Sequence, residues 1–177
     1  AMPFGRGKRF LTSAPAAVDR LLGGWTLQTI SYFATGTYFS PGFSGSDPSN
    51  TNTVGGLPDR VADGNLPGDK RTKDLWFDPA AFRTPAPGRF GNSGANVLTA
   101  QGLNVHHLSI AKKFPITERF SATYTGAISN LFNHPHFNNP LSNISTPGTG
   151  RFTSVVADFN PEKQTSRHIM MKLRIEW

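Results

Sequence analysis

Between Arg119 and Ser129 the side chains alternate without a break. Phe120, Ala122, Tyr124, Gly126 and Ile128 fall on one side; Arg119, Ser121, Thr123, Thr125, Ala127 and Ser129 fall on the other. A period of two over this length is an extended strand between two different environments. Residues 167–177 repeat the pattern, with Ile169, Met171, Leu173, Ile175 and Trp177 opposed to His168, Met170, Lys172, Arg174 and Glu176. Upstream, Leu108, Ile110, Lys112 and Phe114 share one face, and His107, Ser109, Ala111 and Lys113 share the other. The turn expected at Pro115–Glu118 is short, so 103–132 reads as an antiparallel hairpin.

The rest of the chain follows from this frame. Residues 25–39, rich in Thr, Tyr, Phe and Ile, read as one further strand. Residues 1–24 read as a Gly-rich basic turn and a short helix over Ala14–Leu22, with Ser13 as its cap, Pro15 early in it and Gly23-Gly24 as its stop. Residues 40–101 and 133–165 are rich in Pro, Gly, Asn and Ser and read as long polar loops. The expected architecture is all-β and antiparallel, with 1–177 as a single β domain or barrel fragment. Short turns lie on one side and long loops on the other, and strands of about ten residues cross a bilayer at a tilt.

Composition removes several classes. The chain has no cysteine, hence no disulfide framework, thiolate metal site or cysteine nucleophile. No apolar run is long enough for a transmembrane helix, and no charged-then-apolar signal peptide opens this chain. The formal net charge is +7, but the basic residues are scattered, and the one cluster, Arg6, Lys8 and Arg9, sits in a turn. Without an RNA-binding or zinc-finger signature, no nucleic acid is expected as a partner.

Several segments carry a family resemblance. They are Pro3-Phe4-Gly5-Arg6-Gly7, Leu22-Gly23-Gly24-Trp25, Trp76-Phe77-Asp78-Pro79-Ala80-Ala81-Phe82, Phe90-Gly91-Asn92-Ser93-Gly94 and Asn130-Leu131-Phe132-Asn133-His134-Pro135. In this order they resemble the C-terminal β-barrel region of TonB-dependent outer-membrane receptors with a carboxypeptidase-regulatory-like N-terminal domain. The ending Leu173-Arg174-Ile175-Glu176-Trp177 resembles the terminal strand of such barrels, whose last aromatic is read by the assembly machinery. The resemblance implies ligand binding and uptake, an outer-membrane location, and as partners the rest of the barrel or other copies of the chain, membrane lipid and an unidentified ligand. It implies no cofactor and no catalysed reaction. Four strands cannot close such a barrel, so the chain is expected to be a fragment with open edges.

Residue chemistry adds weaker candidates. His134-Pro135-His136 offers two imidazoles, with His106, His107 or Asp158 as a third group, but strand geometry places His106 and His107 on opposite faces, and no metal site is expected. A small soluble hydrolase using His134 or His136 with Asp158 is the alternative function, although no G-x-S-x-G elbow exists. A self-assembling β-sheet protein is a further alternative. The acidic residues of the loops lack a calcium-loop pattern. Trp76, Phe77, Phe82 and Phe90 are the candidate ligand-binding residues, against the plainer role of pinning a long loop.

Overall fold

A computed structural model describes residues 2, 3, 7–10, 12, 13, 15–157 and 165–177. In chain order the elements are helix α1 (Ala16–Leu22), β1 (Trp25–Ala34), β2 (Tyr38–Phe39), β3 (Asp59–Arg60), β4 (Phe82–Arg83), β5 (Leu98–Thr99), β6 (Leu103–Pro115), β7 (Ser121–Ser129) and β8 (His168–Glu176). Short 3-10 turns at Gly68–Lys70 and Pro79–Ala81 lie between β3 and β4. Contacts within the chain cluster into two compact units, where the sequence reading treats 1–177 as one. The first comprises Ala1–Tyr32, Asn104–His134 and Asp158–Trp177; the second comprises Phe33–Leu103 and Pro135–Ala157.

The first unit is built on a four-stranded sheet in the order β1-β6-β7-β8. β6 and β7 pair antiparallel, as do β7 and β8. The register gives four apolar rows across one face: Leu108–Ile128–Ile169, Ile110–Gly126–Met171, Lys112–Tyr124–Leu173 and Phe114–Ala122–Ile175. The opposite face carries Ser109–Ala127–Met170, Ala111–Thr125–Lys172, Lys113–Thr123–Arg174 and Pro115–Ser121–Glu176. These are the faces that period two requires, because partners across a ladder point the same way. The hairpin turn falls slightly later than expected, with the Ile116 and Thr117 N–H groups both donating to the Phe120 carbonyl at 2.9 and 3.0 Å. No β8 residue is buried, and Ile169, Met171, Leu173 and Ile175 are all exposed.

Helix α1 is shorter than expected. Pro15 occupies the N-cap position without a side-chain hydrogen bond, so Ser13 is not its cap. Gly23 ends it, its N–H donating to the Asp19 carbonyl at 2.8 Å.

The second unit corrects two expectations. Residues 25–39 are not one strand: β1 stops at Ala34, and Tyr38–Phe39 pairs instead with Leu98–Thr99 of β5. At the break a Cβ on Gly36 would lie 1.9 Å from the Ala100 carbonyl oxygen, so only glycine lets the two backbones approach. Nor is 40–101 loop throughout. It carries β3, β4 and β5, and its Phe77, Ala81, Phe82 and Leu98 form a core with Phe39 and Ala100. The Phe39–Phe77 and Phe77–Phe82 pairs meet edge to face, at centroid distances of 5.8 and 6.2 Å. Residues 135–157 join this unit through a backbone bridge between Gly42 and Asn143, and a bridge between Phe137 and Val155 closes the segment on itself.

Candidate functional site

The recurrent motifs turn out to be joints. In Trp76-Phe77-Asp78-Pro79-Ala80-Ala81-Phe82, Asp78 caps the 3-10 turn by accepting from the Ala80 N–H at 2.9 Å, and Pro79 takes the first turn position, where its missing donor costs nothing. That turn delivers Phe77, Ala81 and Phe82 to the core. Trp76 is half-buried, donates from Nε1 to the Thr99 carbonyl at 2.8 Å and packs on Phe152 at 5.0 Å. Of the four aromatic ligand candidates, Phe77, only 1% exposed, and Phe82 are therefore core residues that hold the segment together; they have no surface to offer a ligand.

Phe90 is different. It is 70% exposed and lines, with Phe43, Pro48, Leu57 and Arg89, a cavity of about 150 Å³. Its neighbours hold it in place. Arg89 pairs with the buried Asp59, and the Asn92 N–H donates to Asp59 Oδ1 at 3.3 Å. In return Asn92 Oδ1 accepts from the Arg60 N–H at 2.8 Å, and the Ser93 N–H reaches the Pro58 carbonyl at 2.9 Å. Sequence reading missed this clasp; the signal was there in the spacing of Pro58-Asp59-Arg60 and Arg89 to Ser93, but pairing across so long a segment is not a local pattern.

The histidines do not form a centre. His106 Nδ1 lies 2.8 Å from Ser31 Oγ, with its ring edge-on to Phe132. His107, on the other face, accepts the Asn130 N–H at Nδ1 (3.3 Å) and meets Tyr32 edge-on. His134 is exposed and tilted against Phe132, whereas His136 is buried in the second unit and its carbonyl accepts from Val156. Asp158, the carboxylate of the hydrolase alternative, lies outside the described residues. Among the described residues no group of three His, Cys, Asp or Glu is placed to hold a metal.

Several loop acids are engaged structurally. Ser49 donates to Asp47 at 2.7 Å, and this bond, with N–H groups of residues 51–53, lowers the Asp47 pKa below its usual 3.8. Lys73 foremost, and Arg151 at 3.0 Å, lower that of Asp74 in the same way. Asp63 pairs with Arg60. On the polar face of the sheet Glu176 sits between Lys113 (3.3 Å) and Arg174 (3.1 Å), while the exposed Lys172 extends the basic row.

A four-stranded sheet with one apolar and one polar face, both open, has an evident parallel. The profile of the outer membrane beta barrel domain family matches residues 1–169. The chain belongs to this outer-membrane β-barrel family. No curated protein and no solved structure matches it. The family membership explains what solubility cannot: strands of such barrels alternate apolar toward lipid and polar toward the lumen. The sheet has that alternation: Leu108, Ile110, Ile128, Ile169, Met171, Leu173 and Ile175 share the apolar face, and Lys113, Lys172, Arg174 and Glu176 share the polar one. No helix among the described residues is long and apolar enough to cross a membrane, and a strand-built barrel needs none.

Proposed function

We propose that the chain is part of a TonB-dependent outer-membrane receptor, that it contributes strands to the barrel wall, and that its second unit supplies ligand-contacting surface for uptake. It catalyses no reaction in this reading. The observation that carries it is the asymmetry of connections: a turn of a few residues joins β6 to β7, while β1 to β6 and β7 to β8 are joined by long segments that fold on themselves. Barrels of the outer membrane place short turns toward the periplasm and long loops outside, where a folded loop unit with an exposed Phe90 beside a small cavity meets ligand first. The edges β1 and β8 pair with the remaining strands of the receptor.

The test is accumulation by cells expressing the receptor that carries this chain. Three labelled probes are offered: an oligopeptide, an oligosaccharide and a ferric chelate. One is expected to accumulate, to stop accumulating when a protonophore collapses the inner-membrane gradient, and to accumulate more slowly in Phe90→Ala at unchanged surface level. Accumulation of none above cells lacking the receptor overturns the uptake reading.

A second reading has one observation in its favour. β8 is an edge strand with its apolar side chains uncovered, and such an edge pairs readily with another copy. In isolation the chain then self-assembles. Light scattering that stays flat as concentration rises removes this reading.

A further inference from the structure

The apolar face carries one cation, and it is not free. Lys112 lies in the row of Tyr124 and Leu173, yet is only 4% exposed. Its Nζ donates to the carbonyls of Arg20 and, at 3.0 Å, Leu21, the last turn of α1. It also lies 5.3 and 5.0 Å over the rings of Trp25 and Phe114. Trp25 closes the arrangement: its Nε1 donates to the Leu21 carbonyl at 2.9 Å, and its ring meets Tyr124 edge-on at 6.4 Å. A helix end satisfied by a lysine is ordinary. This lysine belongs to an apolar row; on the barrel reading proposed above, on which this inference rests, that row faces lipid, and the end of α1 is held on the outside of the barrel wall.

The height of that contact is set by the aromatics. Trp25, Tyr124 and Phe114 lie on this face toward the β6–β7 turn, where barrels carry an aromatic girdle at the membrane–water boundary. At this level Leu21 and Leu22 are 69% and 52% exposed. The adjoining described residues present Lys8, Arg9 and Arg20 to solvent, with Asp19 as the single opposing acid. Apolar residues that turn outward at an aromatic girdle, flanked by exposed cations, have the make-up of an interfacial anchor.

We propose that the α1 segment lies on the turn-side leaflet of the membrane, with Leu21 and Leu22 in the acyl boundary and Lys8, Arg9 and Arg20 against anionic phospholipid headgroups. Lys112 is its positioning residue. The charge complementarity and the continuity with the lipid-facing rows favour a lipid surface over a protein partner. The arrangement also gives part of the net positive charge a use beyond solubility.

The chain has no cysteine, so a single Leu22→Cys carries an environment-sensitive fluorophore, and a separate Met171→Cys reports wall insertion. The receptor that carries this chain, with any cysteine outside the chain replaced by serine, is folded into phosphatidylcholine vesicles with increasing phosphatidylglycerol. The Leu22 probe is expected to blue-shift, to be quenched by lipids spin-labelled near the headgroup, and to do both more strongly as phosphatidylglycerol rises. Replacing Lys8, Arg9 and Arg20 with Gln is expected to lower that anionic-lipid preference by about fivefold for each charge and to leave the Met171 probe in lipid. A Leu22 probe in water while the Met171 probe is in lipid overturns the anchor and leaves the barrel standing. A Leu22 probe in lipid but indifferent to phosphatidylglycerol overturns the headgroup contact. Both probes in water overturn the anchor together with the lipid-facing assignment.

Discussion

The side chain of Asn130 closes on the backbone of His134 from both sides: Oδ1 accepts its N–H at 3.0 Å and Nδ2 donates to its carbonyl at 2.9 Å. The same Nδ2 donates to the Thr165 carbonyl at 2.8 Å, so one amide joins the end of β7 to the approach to β8. Asn130 is 1% exposed and holds a φ of 49°. Asn130→Ala removes the partner of three backbone groups at a part-buried joint and keeps the left-handed strain; the expected loss is about 3 kcal/mol. Asn130→Gly loses the same bonds but relieves the backbone, and should recover about 1 kcal/mol of it. Urea midpoints of the chain folded in detergent micelles measure both, and equal midpoints for the two variants contradict the strain.

Gly91 and Gly88 separate two reasons for glycine within one short stretch. A Cβ on Gly91 would lie 2.0 Å from the Leu57 carbonyl oxygen and 2.5 Å from that of Pro58, so backbone must move and the clasp of Asp59, Arg89 and Asn92 moves with it. Gly88 has open space around its Cβ direction but a φ of +86°. Gly88→Ala should cost about 1–2 kcal/mol, the left-handed penalty alone, and Gly91→Ala distinctly more. Limited proteolysis of 33–103 reads the difference, with Gly91→Ala expected to be cut much faster. Equal rates mean that the Leu57–Gly91 approach is not structural.

What the sequence made legible was governed by local period. β6, β7 and β8 and their two faces were readable because alternation reports burial one residue at a time, and Leu108, Ile110, Lys112 and Phe114 share a face as expected. The break after Ala34 was not readable: it depends on Ala100 approaching Gly36 across a long loop. Phe77 and Phe90 illustrate the limit for the site. Both are loop phenylalanines next to glycine or aspartate, and composition treats them alike. The Asp78 cap turns one inward, while the Asp59–Arg89 pair leaves the other at the surface.

Asp74 gives the second unit a defined acid sensitivity. It binds Lys73 at 3.0 Å and Arg151 at 3.0 Å, the latter joining 135–157 to 33–103. Its pKa is lowered from the usual 3.8, chiefly by the Lys73 hydrogen bond. A depressed carboxylate stabilises the fold above its unfolded pKa and loses that contribution as pH falls through the folded value. Wild type should therefore resist proteolysis of the second unit better than Asp74→Asn above pH 3.8, with the gap closing below it. Both partners are exposed, so the gap is small and shrinks with salt. A gap that widens in acid contradicts the assignment.

Met170 and Met171 put the two faces to their sharpest test, because chemistry and exposure are nearly the same for both. They are neighbours in β8 and 62% and 72% exposed in the chain alone. Met170 pairs with Ala127 in the polar rows; Met171 pairs with Gly126, midway along its strand, in the apolar rows. In the receptor that carries this chain, folded in a phosphatidylcholine bilayer, Met171→Arg should lose about 2–4 kcal/mol, the cost of a cation on the lipid face near the midplane. Met170→Arg faces water in the lumen and should change stability by less than about 0.5 kcal/mol. Denaturant titration of tryptophan emission in vesicles measures both. The difference should disappear in aqueous urea without lipid, where neither residue meets hydrocarbon. Equal losses in the bilayer would mean that the two faces meet the same surroundings, and the lipid-and-lumen assignment of β8 would fall.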